Sequence, residues 1–288
     1  FRSHRLQYIL LPYPHLRSST HNTQVLTITL RLYHILKLNQ SFCSIVYEYL
    51  LVPTFKSEYT VKKEVYIMTN ILHMENISNE EWCFETFKNY IHPTDKVLII
   101  PFSFHQDEVH SQKDFDALYH PDFGKYYASI MNGFHHYGIP ASQIYWMNYF
   151  SAKDKADAKQ LVRNADIIYF TGGLPDQLKE RLIEFDLVNS LEQFNGLIMG
   201  FSAGAMIQLH RVHMTPDEDY DHYFYMNGLN ILHGFDIECH FENTPLQQTA
   251  IQQAINDYHL PVYAIGDKGA IIVENGQLTC IGDVHQFI

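Results

Sequence analysis

Cysteine is scarce in this 288-residue chain: there are four, with no CxxC and no paired spacing. That excludes a zinc ribbon and a disulfide framework, and it fits a reducing, cytoplasmic compartment. Also missing is an uninterrupted apolar run of about 18 residues, the length a membrane-spanning helix needs. The best run, residues 24–38, is broken by Arg31, His34 and Lys37. The first residues lack the apolar core and small-residue cleavage site of a secretory signal. Positive charge is short as well, with 20 Lys and Arg against 32 Asp and Glu, a formal net charge of −12. Nucleic-acid binding normally demands a basic face, so no nucleic-acid partner is expected, and no membrane either. The segment HQDEVH (105–110) has no HExxH spacing. The Gly172-Gly173 turn lacks the third glycine of a dinucleotide fingerprint and the lysine of a P-loop. Neither a metal nor a cofactor is expected.

A second set of absences divides the chain. Residues 1–67 contain no Gly, Ala or Asp, and hold eight Lys and Arg against three Asp and Glu. The remaining residues hold 12 basic and 29 acidic side chains. At the boundary stands KKEVYIM (62–68), in which Lys-Glu-Val can be encoded by a purine-rich AAGGAGGT, the form of a bacterial ribosome-binding site. The expectation is that residues 1–67 are translated upstream sequence and that the protein begins at Met68; the alternative is a genuine N-terminal extension, helical or disordered, preceding the α/β domain of 68–288. N-terminal mapping of the native protein checks this.

What is present from Met68 onward is strand alternating with helix. Short apolar or β-branched runs at 96–104, 143–150, 166–173 and 196–202 suit strands buried on both faces of a parallel sheet. Amphipathic stretches lie between them at 122–138, 152–165 and 175–185, the first closed by Gly138-Ile-Pro140. The last residues read as antiparallel strands turned at Asn275-Gly276. Together these imply right-handed βαβ units and a three-layer α/β sandwich around a mainly parallel sheet.

One stretch carries chemistry. In GLIMGFSAGAMIQ (196–208), Gly200 and Gly204 flank Ser202 in the G-x-S-x-G spacing of a nucleophile elbow. A strand turning abruptly into a helix exposes the serine hydroxyl and crowds the positions two before and two after it, so these must be small. The amide of Ala203 then faces a developing oxyanion at the positive end of the following helix, and Gly173 suits a second donor. A serine nucleophile needs a base, and the base needs an orienting acid. Of 18 histidines, His240 is best placed, since it ends a strand-like run. His210 and His213 follow the elbow helix and should point away. Asp267, at a strand end beside a glycine, is the candidate acid, with Asp217 and Asp219 in an acidic loop as competitors.

With these pieces in view, residues 68–288 resemble the peptidase E/cyanophycinase family of serine peptidases. The motifs that carry the resemblance are ADIIYFTGG (165–173), GFSAGAM (200–206), GLNILHGFDIECHFENTP (228–245) and the closing AIGDKGAIIVENGQ. It implies a class I glutamine amidotransferase-like, flavodoxin-like fold and a cofactor-free hydrolase of small peptides, of which Asp-X dipeptides are one class. By position it makes Ser202 the nucleophile, His240 the base, Asp267 the acid, and Gly173 and Ala203 the oxyanion donors. Amidotransferases carry Cys at this elbow, so Ser202 disfavours glutaminase activity. The chain departs from the family at Leu174-Pro175, where Asn followed by Thr or Gln is usual, which puts aspartyl specificity in question. Arg211 is a conceivable partner for a substrate carboxylate. The rival readings are a non-catalytic amidotransferase-like domain binding a small molecule or protein, and an amidase or esterase on a non-peptide acyl group. A homodimer is compatible with the sequence.

Overall fold

The computed structural model describes residues 68–75 and 80–288. The expectation about residues 1–67 therefore falls outside the described residues. The described residues form ten strands: β1 (Thr69–His73), β2 (Val97–Ile100), β3 (Ile144–Trp146), β4 (Ile167–Phe170), β5 (Leu197–Phe201), β6 (Val212–Met214), β7 (Phe224–Met226), β8 (Asp236–Glu238), β9 (Val262–Glu274) and β10 (Gln277–Phe287). Eight of them make one sheet in the order β10-β9-β1-β5-β4-β2-β3, with β8 added beside β9. Strands β1, β5, β4, β2 and β3 run parallel, whereas β9 is antiparallel to β1 and β10 to β9. Strands β6 and β7 form a separate antiparallel ribbon.

The apolar runs are continuous because both faces of the sheet are covered. Ile71, Val97, Ile99, Ile167, Tyr169, Leu197 and Met199 point to one core, which helices Glu81–Phe87 and Tyr127–His136 cover. Leu72, Leu98, Ile100, Ile168, Phe170 and Ile198 point to the other, beneath helices Ala152–Asn164 and Pro175–Glu184. This period-two division within unbroken apolar strands builds the three layers. The local signals act as expected. Gly138, at φ 85°, ends the helix that stops at His136, and Asn275-Gly276 (φ 51° and 77°) turns β9 into β10. In an open sheet of this kind, ligands bind beyond the carboxyl ends of the parallel strands. Ser202 follows β5 at that edge, between β1 and β4.

Candidate active site

The elbow is a consequence of crowding in the middle of the sheet. β5 lies between β1 and β4, and the Ser202 amide donates to the His73 carbonyl of β1 at 3.0 Å. Ser202 itself sits at φ 51°, ψ −114°, a conformation that side chains other than glycine rarely adopt. A Cβ on Gly200 would collide with the Gly204 carbonyl, and one on Gly204 with the Phe170 carbonyl of β4. That is why glycine stands on both sides of the serine. The helix that follows is shorter than the sequence suggests, a single turn over Ala203–Met206. Its dipole is correspondingly small, so an oxyanion here would depend on individual amides.

Those amides come from two turns. Gly173, at φ 132°, follows β4 and packs so closely on the Ser103 carbonyl that no side chain fits. The same carbonyl accepts the Leu174 amide at 2.7 Å, while Ser103 Oγ reaches Thr171 Oγ1 at 2.8 Å. Arg181, buried on helix Pro175–Glu184, braces this loop by donating to the Phe102 and Phe104 carbonyls and lying over the Phe104 ring at 3.6 Å. Among the described residues, the amides of Gly173 and Ala203 donate no hydrogen bond.

His240 arrives from β8 at φ 47°, with its carbonyl accepting from Gln247 Nε2 at 3.0 Å. Its Nδ1–H donates to Asp267 Oδ1 at 2.9 Å. Asp267 is not at a strand end. It lies inside the long β9, between the segment paired with β8 (262–264) and the segment paired with β1 (270–274). The change of partner leaves its side chain projecting into solvent. Ser202 and His240 line the same cavity of about 280 Å3 and, with Gly173, an adjoining cleft of about 690 Å3. Among the described residues no hydrogen bond joins Ser202 to His240.

The competing residues are otherwise engaged. Asp217 Oδ1 accepts the amides of Asp219 and Tyr220, both at 2.9 Å, which closes the acidic loop. Asp219 lies 3.7 Å from His105 Nδ1. Neither reaches His240, although both line the larger cleft. His210 stacks on His233 at 4.9 Å, and Arg211 lies over the Tyr258 ring at 3.2 Å. These two border a separate pocket that contains none of Ser202, His240 and Asp267, so Arg211 is not brought to the candidate site.

A family model for peptidase family S51 matches residues 77–281. The chain belongs to peptidase family S51. Its members are serine peptidases, and this chain is one. Two solved structures are similar to the S51 chain. One, from an acI-B1 Actinobacterium, is a peptidase with 17% identity and a TM-score of 0.55, covering 77% of this chain and 94% of that one. The other, a candidate peptidase E protein from Listeria monocytogenes EGD-e, has 19% identity and a TM-score of 0.49, covering 74% of this chain and 98% of that one. No curated protein matches.

Two features of this S51 peptidase escape a reading of the sequence. Lys125 enters the smaller cavity from a segment distant in sequence from every motif. His213 does not simply point away. It lines the larger cleft, fully enclosed, with Nδ1 at 2.9 Å from Asp236 Oδ2 and Nε2 at 2.8 Å from Glu238 Oε2. Two carboxylates on two ring nitrogens call for an imidazolium. Burial opposes that charge, but the hydrogen bonds and charges of Asp236 and Glu238 outweigh it and raise the pKa to about 9. The alternation Asp-Ile-Glu in 236–238 signals that the two acids share a face. Nothing in the sequence pairs them with His213.

Proposed function

We propose that this S51 peptidase hydrolyses small peptides through Ser202, His240 and Asp267, with dipeptides, Asp-X among them, as its substrates. Ser202 Oγ attacks the scissile carbonyl while His240 Nε2 takes its proton, and Asp267 holds the imidazole by Nδ1–H. The amides of Gly173 and Ala203 donate to the oxyanion. The C–N bond then breaks, His240 returns the proton to the leaving amine, and water releases the acyl group from Ser202 by the same steps.

The observation that carries the reading is the convergence of a strained serine and a carboxylate-anchored histidine on one cavity. The open Ser202–His240 contact agrees with free enzymes, in which such bonds are long and tighten with substrate. The test is hydrolysis of a dipeptide panel containing Asp-Leu, Ala-Leu and an isoaspartyl dipeptide, by the protein from Met68 and by its Ser202→Ala variant. Cleavage of at least one member, falling about a thousandfold in the variant, is expected. Absence of cleavage across the panel removes the dipeptidase reading.

A further inference from the structure

The two spaces that meet at Ser202 are opposite in charge. The larger cleft carries Asp217, Glu218, Asp219 and Glu242, together with Glu238 bound to the enclosed His213, and no Lys or Arg among its described lining residues. Among its described lining residues the smaller chamber has one Lys or Arg, Lys125, beside His105 and His240 and among apolar and aromatic walls that include Phe104, Leu118, Tyr119 and Ile130. Lys125 is exposed, on a segment whose backbone is anchored. Its amide donates to the Ala117 carbonyl and the Tyr126 amide to the Leu118 carbonyl, both at 2.9 Å, which ties the segment to the helix Gln112–Tyr119. The ammonium lies 4.7 Å from the Tyr126 ring centroid. Elsewhere Lys88, Lys153, Lys155 and Lys159 each pair with a carboxylate. Lys125 has no such pair among the described residues, and Glu108 is the one acid on its chamber wall.

We propose that this chamber receives the residue released as the new amine, a large apolar or aromatic residue whose free terminal carboxylate Lys125 binds. The inference rests on the peptidase reading of Ser202. A peptide carboxylate turned into the larger cleft would face Asp217, Glu218, Asp219 and Glu242, with the one described cation there, His213, already paired to Asp236 and Glu238, whereas its α-ammonium is favoured there. The scissile bond at Ser202 then lies between an acyl-side residue in the acidic cleft, where a neutral side chain is favoured over that of Asp, and a carboxyl-terminal residue in the Lys125 chamber. The site thereby selects short zwitterionic peptides over amidated ones.

The experiment measures calorimetric binding of Asp-Leu, Ala-Leu and their C-terminal amides to the Ser202→Ala protein. The same peptides are tested on that protein carrying Lys125→Met or Lys125→Arg. Free-acid peptides should bind about tenfold more tightly than their amides. Lys125→Met should erase the difference and Lys125→Arg should retain it. Equal affinity for acid and amide, or a difference that survives Lys125→Met, overturns the proposal. So does a loss confined to the Asp side chain, which would assign Lys125 to that carboxylate instead, and so does failure of every peptide to bind. Turnover by the protein with Ser202 intact separates the two readings. Ser202-dependent cleavage of acid and amide alike keeps the peptidase and removes this subsite. Acid-selective binding without any cleavage keeps the subsite and removes the catalytic role.

Discussion

A carboxylate that orients a catalytic imidazole fixes its tautomer, so removing it lowers kcat more than it raises KM. In the proposed triad His240 meets Asp267 at 2.9 Å, and the neutral amide of Asp267→Asn would present its NH2 to Nδ1 and select the wrong tautomer. The His240 and Asp267 side chains are 49% and 60% exposed, so solvent shares the task and the effect should be smaller than in a buried triad. A fall in kcat of about a hundredfold is expected for Asp267→Asn in steady-state assays on whichever peptide the panel identifies. Asp217→Asn keeps an oxygen for the amides of Asp219 and Tyr220, and its kcat should stay within about threefold. The reverse ranking would transfer the acid's role to Asp217.

Among the elements, β6 and β8 are joined by charge. His213 on β6 grips Asp236 and Glu238, which share one face of β8, and Thr215 donates to Glu238 Oε2 at 2.6 Å. Tyr223 flanks the ring, 6.0 Å away between centroids. His240 follows two residues after Glu238, so the clamp steadies the strand that delivers the histidine. Because the folded pKa lies near 9, above the ordinary 6.5, the clamp's contribution is complete below pH 6.5 and is lost as pH rises through 9. The amount at stake is about 3 kcal/mol. Urea denaturation between pH 6 and 9.5 should show a decline in wild-type stability that His213→Gln lacks. Parallel pH profiles for the two proteins would refute a charged clamp.

For the whole molecule, acid resistance is limited from the opposite side. His73 ends β1 in the central layer, ringed by Phe87, Tyr169 and Phe201, and burial lowers its pKa to about 4 despite a hydrogen bond to the Glu75 carbonyl. The unfolded chain binds that proton near pH 6.5, so stability falls as pH drops from 6.5 to 4, again by about 3 kcal/mol. His73→Phe, matched to its aromatic neighbours, should flatten this part of the profile in thermal unfolding. An unchanged acid slope would show that other groups carry it. The same residue couples stability to the site, since its carbonyl holds the Ser202 amide and its Cα pairs with Phe201.

The strands, the helices and the elbow were legible because their causes are local. Unbroken apolar runs require a doubly covered sheet, and Gly200-Phe201-Ser202-Ala203-Gly204 encodes its own crowding. The closing hairpin was legible for the same reason, as Asn275-Gly276 supplies two left-handed positions. What stayed hidden depends on residues far apart in sequence. Asp267 looked like a strand end because no local signal tells that β9 continues from one partner to another. His213 looked uninvolved because its acids stand more than twenty positions away, and Lys125 carried no motif at all. Backbone conformation and burial are set by near neighbours and composition, so the sequence by itself determined the sheet and the serine. Charge acts through space, so only the tertiary structure decided which acid meets His240, which histidine is an imidazolium, and which lysine enters the chamber beside Ser202.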